Sequence, residues 1–269
     1  MKCPYCNENH PDDFKFCPNT GKIIEPEHLK QLNCISIGNQ TSICRINDQK
    51  VNITNKVQSC NNSRFIEYNG HQFVNLGLTS GTLWSSCNIG AKDQQEYGDY
   101  FSWGETDGFM SGKTDFGDRK YKWYRVNIFH DVYLTKYSLG AGEYADGKAE
   151  LELFDDCAFH HWGGNCRMPS SEQFMELIRE CKSEWMTFKG VQGYMFTSKV
   201  NNNTIFLPCG GYRSGKYIND GGSRGYYWSR NLKDRGLRGC VLLFKSRKCC
   251  LDSKVRSNGC NVRPVLSKF

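Results

Sequence analysis

Apolar residues fall at helical spacing in one clear stretch, where Phe174, Leu177, Ile178, Cys181 and Trp185 line a single face. The start of that stretch is marked locally. Ser170 is a natural N-cap and Gln173 stands three residues on, the arrangement of a capping box. The pattern predicts a helix over 170–185 with its apolar stripe in the core. No long helical period follows Trp185. Short apolar, β-prone runs at 204–207, 226–229 and 241–244, separated by Gly and Asn, read instead as strands. One or two helices beside an antiparallel sheet make an α+β arrangement.

Upstream the texture changes twice. Residues 1–26 are punctuated by Cys and Pro and read as a small module. Residues 27–66 are rich in Asn, Gln, Ser and Ile, with β-like runs at 34–37 and 42–46, and read as a linker or minor β-element. All six tryptophans lie between Trp84 and Trp228, and glycine is dense there, as in a loop-rich domain spanning 67–269.

Charge sharpens the picture. Residues 201–269 hold fourteen Lys and Arg against three Asp and no Glu, a net of +11, whereas residues 1–200 carry a net of −4. A basic tail points to an acidic partner or to a solvated basic face. No run of 18 apolar residues exists to span a membrane, so no membrane partner is expected. The N-terminus has no apolar segment of the secretory kind, so a cytoplasmic location as synthesised is expected, with phage association left open. Fifteen cysteines, an odd number with no compact disulfide spacing, read as mostly free thiols.

A series of ordered motifs carries a family resemblance. They begin with Val74-Asn75-Leu76-Gly77-Leu78-Thr79-Ser80-Gly81-Thr82-Leu83-Trp84 and Glu96-Tyr97-Gly98-Asp99-Tyr100-Phe101-Ser102-Trp103-Gly104-Glu105-Thr106. They continue with Leu134-Thr135-Lys136-Tyr137, Trp162-Gly163-Gly164-Asn165-Cys166-Arg167-Met168-Pro169, Ile205-Phe206-Leu207-Pro208 and Gly211-Tyr212-Arg213. They end with Tyr227-Trp228-Ser229 and Asn261-Val262-Arg263-Pro264-Val265. Residues 67–266 thereby resemble the Fibrobacter succinogenes major paralogous domain, a family related to the formylglycine-generating type of C-type-lectin-like fold. The resemblance implies a C-type-lectin-like fold and not a reaction, since related folds serve as binders and as enzymes; a binding function is the reading favoured here. It also suggests the variable proteins of diversity-generating retroelements, whose diversified residues precede a closing motif like Gly259-Cys260-Asn261-Val262-Arg263. Here the equivalent stretch is 230–260. Adenine-directed change of AAC codons can give its Arg, Cys, Ser, Gly, Asp and Leu, but not Lys233, Lys245, Lys248 or Lys254.

On that basis the ligand surface is expected at Arg230, Asn231, Arg235, Arg238, Arg247, Lys248, Leu251, Asp252, Arg256 and Ser257, facing a protein or an anionic glycan. Nucleic acid is the alternative partner, with Tyr217, Tyr226, Tyr227, Trp228 and Phe244 as a stacking surface among the basic residues. A less favoured reading is a copper-dependent formylglycine-generating type of oxidase, invited by Cys249, Cys250 and Cys260. Asp155, Asp156, His160 and His161 offer metal-ligand or acid–base chemistry, but adjacent histidines on a helix point to different faces.

The N-terminal module looks like a zinc ribbon. Cys3-Pro4-Tyr5-Cys6 forms one knuckle and Phe16-Cys17-Pro18-Asn19-Thr20-Gly21 the other, with Thr20 where a fourth cysteine belongs. Cys3, Cys6, Cys17 and His10 would supply the four ligands of a tetrahedral zinc.

Overall fold

The computed structural model describes residues 64–110, 112–127, 132–139, 145–233 and 236–266, together with three strands in the N-terminal part. The chain divides into two units, Met1–Asn62 and Ser63–Phe269. In the first, β1 (Cys34–Ile37), β2 (Thr41–Ile46) and β3 (Gln49–Val51) form an antiparallel sheet, so both β-like runs read from the sequence are strands. The proposed zinc ligands Cys3, Cys6, His10 and Cys17 lie outside the described residues.

The second unit carries the remaining elements. In chain order these are β4 (Phe65–Tyr68), β5 (His71–Asn75), β6 (Leu83–Ser85), β7 (Tyr124–Val126), β8 (Val132–Leu134), α1 (Cys157–Trp162) and β9 (Cys166–Arg167). There follow α2 (Ser171–Glu180), β10 (Cys181–Phe188), β11 (Val191–Ser198), β12 (Thr204–Pro208), β13 (Tyr212–Ser214) and β14 (Tyr217–Asn219). The last are β15 (Gly225–Lys233), β16 (Arg238–Lys245), β17 (Lys248–Val255) and β18 (Val265–Leu266). The strand ladders are antiparallel. Strand accounts for 43% of the structure and helix for 12%, which overturns the α+β expectation in favour of a mainly β protein. Most of the strand in this unit lies in five strands of eight or nine residues, β10, β11, β15, β16 and β17, joined by many shorter ones. No helix among the described residues is long and apolar enough to cross a membrane.

The capping box forms as the sequence requires. The Ser170 hydroxyl accepts from the Gln173 N–H at 3.0 Å, and the Gln173 side chain accepts from the Ser170 N–H at 2.8 Å. The helix nevertheless ends at Glu180, not at Trp185. Residues 181–188 become a strand that pairs with β11 through a two-residue turn, Lys189-Gly190. Both turn residues have positive φ, 47° and 82°, the conformation that matches the twist of a hairpin.

Sheet β15–β16–β17 divides the core. On one face Trp228 and Val241 join Phe73, Phe101, Trp103, Trp162 and Val262. On the other Tyr227, Leu242 and Phe244 join Val74, Trp84, Phe174, Leu177, Tyr194 and Phe196. Burial on both faces explains why 226–229 and 241–244 are continuous apolar runs rather than alternating ones. The loops between β6 and β7 are fastened to this sheet by buried polar bonds. Trp103 donates through Nε1 to the Ser229 carbonyl at 2.9 Å, Trp228 to that of Phe101 at 2.7 Å, and Asn261 to those of Tyr97 and Asp99. Arg263 is fully buried and donates to Asn88 Oδ1 and to the carbonyls of Ser85, Ser86 and Phe206. A second sheet has the order β4–β5–β6–β18–β9, with Val265 paired to Trp84 on one side and to Arg167 on the other.

Candidate functional site

The ten residues expected to form one ligand surface are dispersed. Arg230 and Asn231 sit in an irregularity of β15, between Trp228 and Leu232. Both face the start of α2. Arg230 pairs with Glu150 and donates to the Met168 carbonyl and Gln173 Oε1, while Asn231 Oδ1 accepts from the Ser171 N–H at 2.8 Å. Arg238 is half-buried and donates to the side chain and carbonyl of Ser253. Leu251 packs into the core face that holds α2. Asp252 is half-buried and accepts from the Ser253 N–H. Arg235 lies outside the described residues.

Arg247 and Lys248 are exposed at the β16–β17 turn, beside exposed Lys245. They lie at the other end of the hairpin from Arg238, which pairs with Val255. Seven residue steps separate Arg238 from Lys245, roughly 23 Å of strand.

Two of the ten are corrected outright. Arg256 is fully buried, donating to the carbonyls of Lys136, Tyr137 and Gly236 and to the Tyr121 hydroxyl, with its guanidinium 4.8 Å from the Trp103 ring centre. Ser257 is 2% exposed and bonds to Asp118. Both build the scaffold beneath the surface and cannot meet a ligand. The stacking surface weighed for nucleic acid meets the same objection. Tyr226, Tyr227, Trp228 and Phe244 are buried, leaving Tyr217, 77% exposed, as the only accessible ring of the five.

What the fold does bring together is a basic and aromatic cluster that the sequence reading missed. Lys254, on β17, lays its ammonium over the rings of Tyr212 and Tyr226, 3.2 Å and 4.2 Å from their centres. The two rings meet edge to face at 5.1 Å and form a cradle. Tyr212 is held there by the turn before it. Gly211 has φ +66°, and a Cβ at that position would lie 2.1 Å from the Asn219 carbonyl oxygen, so only glycine fits. The Tyr226 hydroxyl donates to Asp220 Oδ2 at 2.7 Å, and Arg224 reaches the same carboxylate at 3.4 Å. Among the described residues no carboxylate lies within ion-pair distance of Lys254. Its pKa lies below the usual lysine value because burial disfavours the charge, with Arg238 and Arg224 adding to the effect against Cys260 and Asp220. On the same hairpin Tyr217 and Ile218 are exposed beside Lys216. The aromatic spacing was visible in the sequence, but nothing there picked Lys254 out of the basic residues around it.

The other chemical candidates are accounted for within the structure. Asp156 is fully buried and accepts from the N–H groups of Ala158, Phe159 and Met168, capping α1. Asp155 accepts from Tyr137 Oη and Lys136 Nζ. His161 donates from Nε2 to the Thr106 carbonyl. Cys249 and Cys250 alternate along β17, and Cys260 is buried elsewhere. Burial pushes the Cys249 thiol up to about 12 and raises that of Cys260 as well, so neither favours the thiolate that copper needs. Among the described residues no three His, Cys, Asp or Glu converge as a metal group. A cleft of about 590 Å³ lined by Glu105, Asp107, Lys113, Lys120 and Lys122 lies apart from the lysine cradle. Its charges are partly neutralised from within, Lys113 by Glu105 and Lys122 by Asp155.

Compared with known proteins, the chain matches no family model, no curated protein and no solved structure.

Proposed function

We propose that this chain is a ligand-binding protein that takes an anionic partner, an acidic protein surface or an anionic glycan, on the face of β17 around Lys254. The observation that carries this reading is the ammonium of Lys254, half-buried on two tyrosine rings with no ion-pair partner among the described residues. A lysine so placed has shed part of its water and kept its charge unmatched, so an incoming carboxylate gains more there than at a solvated lysine. Arg224 and exposed Tyr217 and Ile218 extend the surface with charge and apolar area. Lys254 is one of the residues that adenine-directed change of AAC codons cannot produce. The proposed site is therefore fixed at its centre, and diversification, if present, acts around it.

Binding of polygalacturonate and of polyglutamate to the purified protein tests this. Lys254→Glu is expected to weaken the preferred polyanion at least tenfold, about 1.4 kcal/mol, with circular dichroism unchanged. Binding should also fall steeply with salt. Equal affinity of a folded Lys254→Glu variant would remove Lys254 from the site and the proposal with it.

For the N-terminal module we propose a structural zinc held by Cys3, Cys6, His10 and Cys17. Metal analysis of protein made with ample zinc is expected to return about one equivalent, as for a mononuclear structural site. A yield under about a tenth of that would overturn it.

A further inference from the structure

Arg213 stands apart from the other two deeply buried arginines. Arg256 and Arg263 spend their guanidinium donors on carbonyl and side-chain oxygens. Arg213 is 8% exposed, yet its side chain makes no hydrogen bond and no ion pair within the described residues, and its Nε is sealed from solvent without a partner. An arginine has five donors in a rigid fork, and a donor sealed from water without a partner, as Nε is here, is costly. The backbone fixes this arrangement. Strand β13 is locked to the stretch after β17 by bonds between Arg213 and Gly259 in both directions, 2.7 Å and 2.9 Å. The side chain leaves that strand against Phe109, whose ring centre lies 3.3 Å from the guanidinium carbon, with Tyr100 at 5.1 Å. Asp99, the acid whose charge acts on Arg213, is already engaged by the N–H groups of Tyr100 and Met110. Phe109 is 38% exposed and the adjoining Met110 65%, so the ring on which the guanidinium lies also presents apolar surface to water.

We propose that Arg213 is the anion-recognising residue of a second binding site, which takes a carboxylate carried on an apolar body. The planar fork pairs with a carboxylate through two parallel bonds, and the exposed part of Phe109 supports the apolar body. An aromatic acid fits this description, and so does the end of a peptide chain that finishes in a large apolar residue. The site is independent of the Lys254 cradle and does not rest on it.

Titration of ¹⁵N-labelled protein, read at the arginine Nε–H resonances, tests the proposal. Benzoate is expected to shift the Arg213 resonance saturably, whereas benzyl alcohol and matched sodium chloride leave it in place. A short peptide ending in phenylalanine should act as the free acid but not as the amide if chain ends are the source. A shift with benzoate alone assigns the site to small acids. The benzoate-dependent changes in neighbouring backbone amides should vanish in Arg213→Met, weaken in Arg213→Lys and persist in Lys254→Glu. Absence of a saturable shift in the unaltered protein, the same shift with sodium chloride, or amide changes retained in Arg213→Met would each overturn the proposal. Should Arg213→Met fail to fold, the titration of the unaltered protein decides by itself.

Discussion

Replacing Arg256 by alanine is expected to cost about 3–5 kcal/mol, the upper part of the range for breaking a buried hydrogen-bond network. The change takes the donor from the carbonyls of Lys136, Tyr137 and Gly236, while the Tyr121 hydroxyl loses one partner and keeps its bond to the Trp103 carbonyl. Each buried acceptor left without a donor costs about 1–3 kcal/mol, offset in part because the buried charge is removed as well. It also opens a gap beside Trp103. Urea unfolding followed by tryptophan fluorescence measures this, and the midpoint should fall with little change in slope. Arg256→Lys should recover little, because a single ammonium cannot span four acceptors set around a planar fork. A midpoint equal to that of the unaltered protein would mean that the network contributes nothing and that Arg256 is free for other duties.

Phe174→Ala is expected to be as severe, at about 3–5 kcal/mol for a buried phenylalanine. The Phe174 ring is fully buried with its centre 5.5 Å from that of Trp84, and it joins α2 to the strands that include β18. Because the loss is apolar, it combines lost burial with a cavity, and a Phe174→Leu variant should restore more than half of it. Thermal unfolding by calorimetry reads both variants. A drop of under about 1 kcal/mol for the alanine form would show that the core collapses around the gap.

The two positions show how far the sequence could be read. Phe174 announces itself: a capping box fixes where its helix begins, and the 3- and 4-residue spacings fix its face. The helix end was misread for a specific reason. Cys181 and Trp185 are four residues apart, a separation that puts them on one side of a helix and equally on one side of a strand. Only pairing with β11, a contact the local pattern does not contain, decides between the two. The mainly β character was obscured in the same way, since β6, β9 and β18 are two or three residues long and exist through their partners.

Arg256 fails in the opposite direction. Arginine reads as surface by default, and nothing near Arg256 in the chain tells it from Arg247, which is exposed. Its acceptors come from 136–137 and 236, segments remote in sequence. Lys254 is inconspicuous in the sequence for a related reason, because the two rings that cradle it lie 28 and 42 residues away. Composition located the basic region but could not sort its members into core, scaffold and site.

The position of β18 between β6 and β9 has a consequence for biosynthesis. Of this sheet β4, β5 and β6 are made first, yet the neighbour that Trp84 and Leu83 require is residues 265–266. Until those residues clear the ribosome, β6 offers an open edge and the buried face of Trp84 is uncovered. Completion of this sheet therefore waits until residues 265–266 have been made, and the waiting chain, with an apolar edge on show, is the form that chaperones would meet.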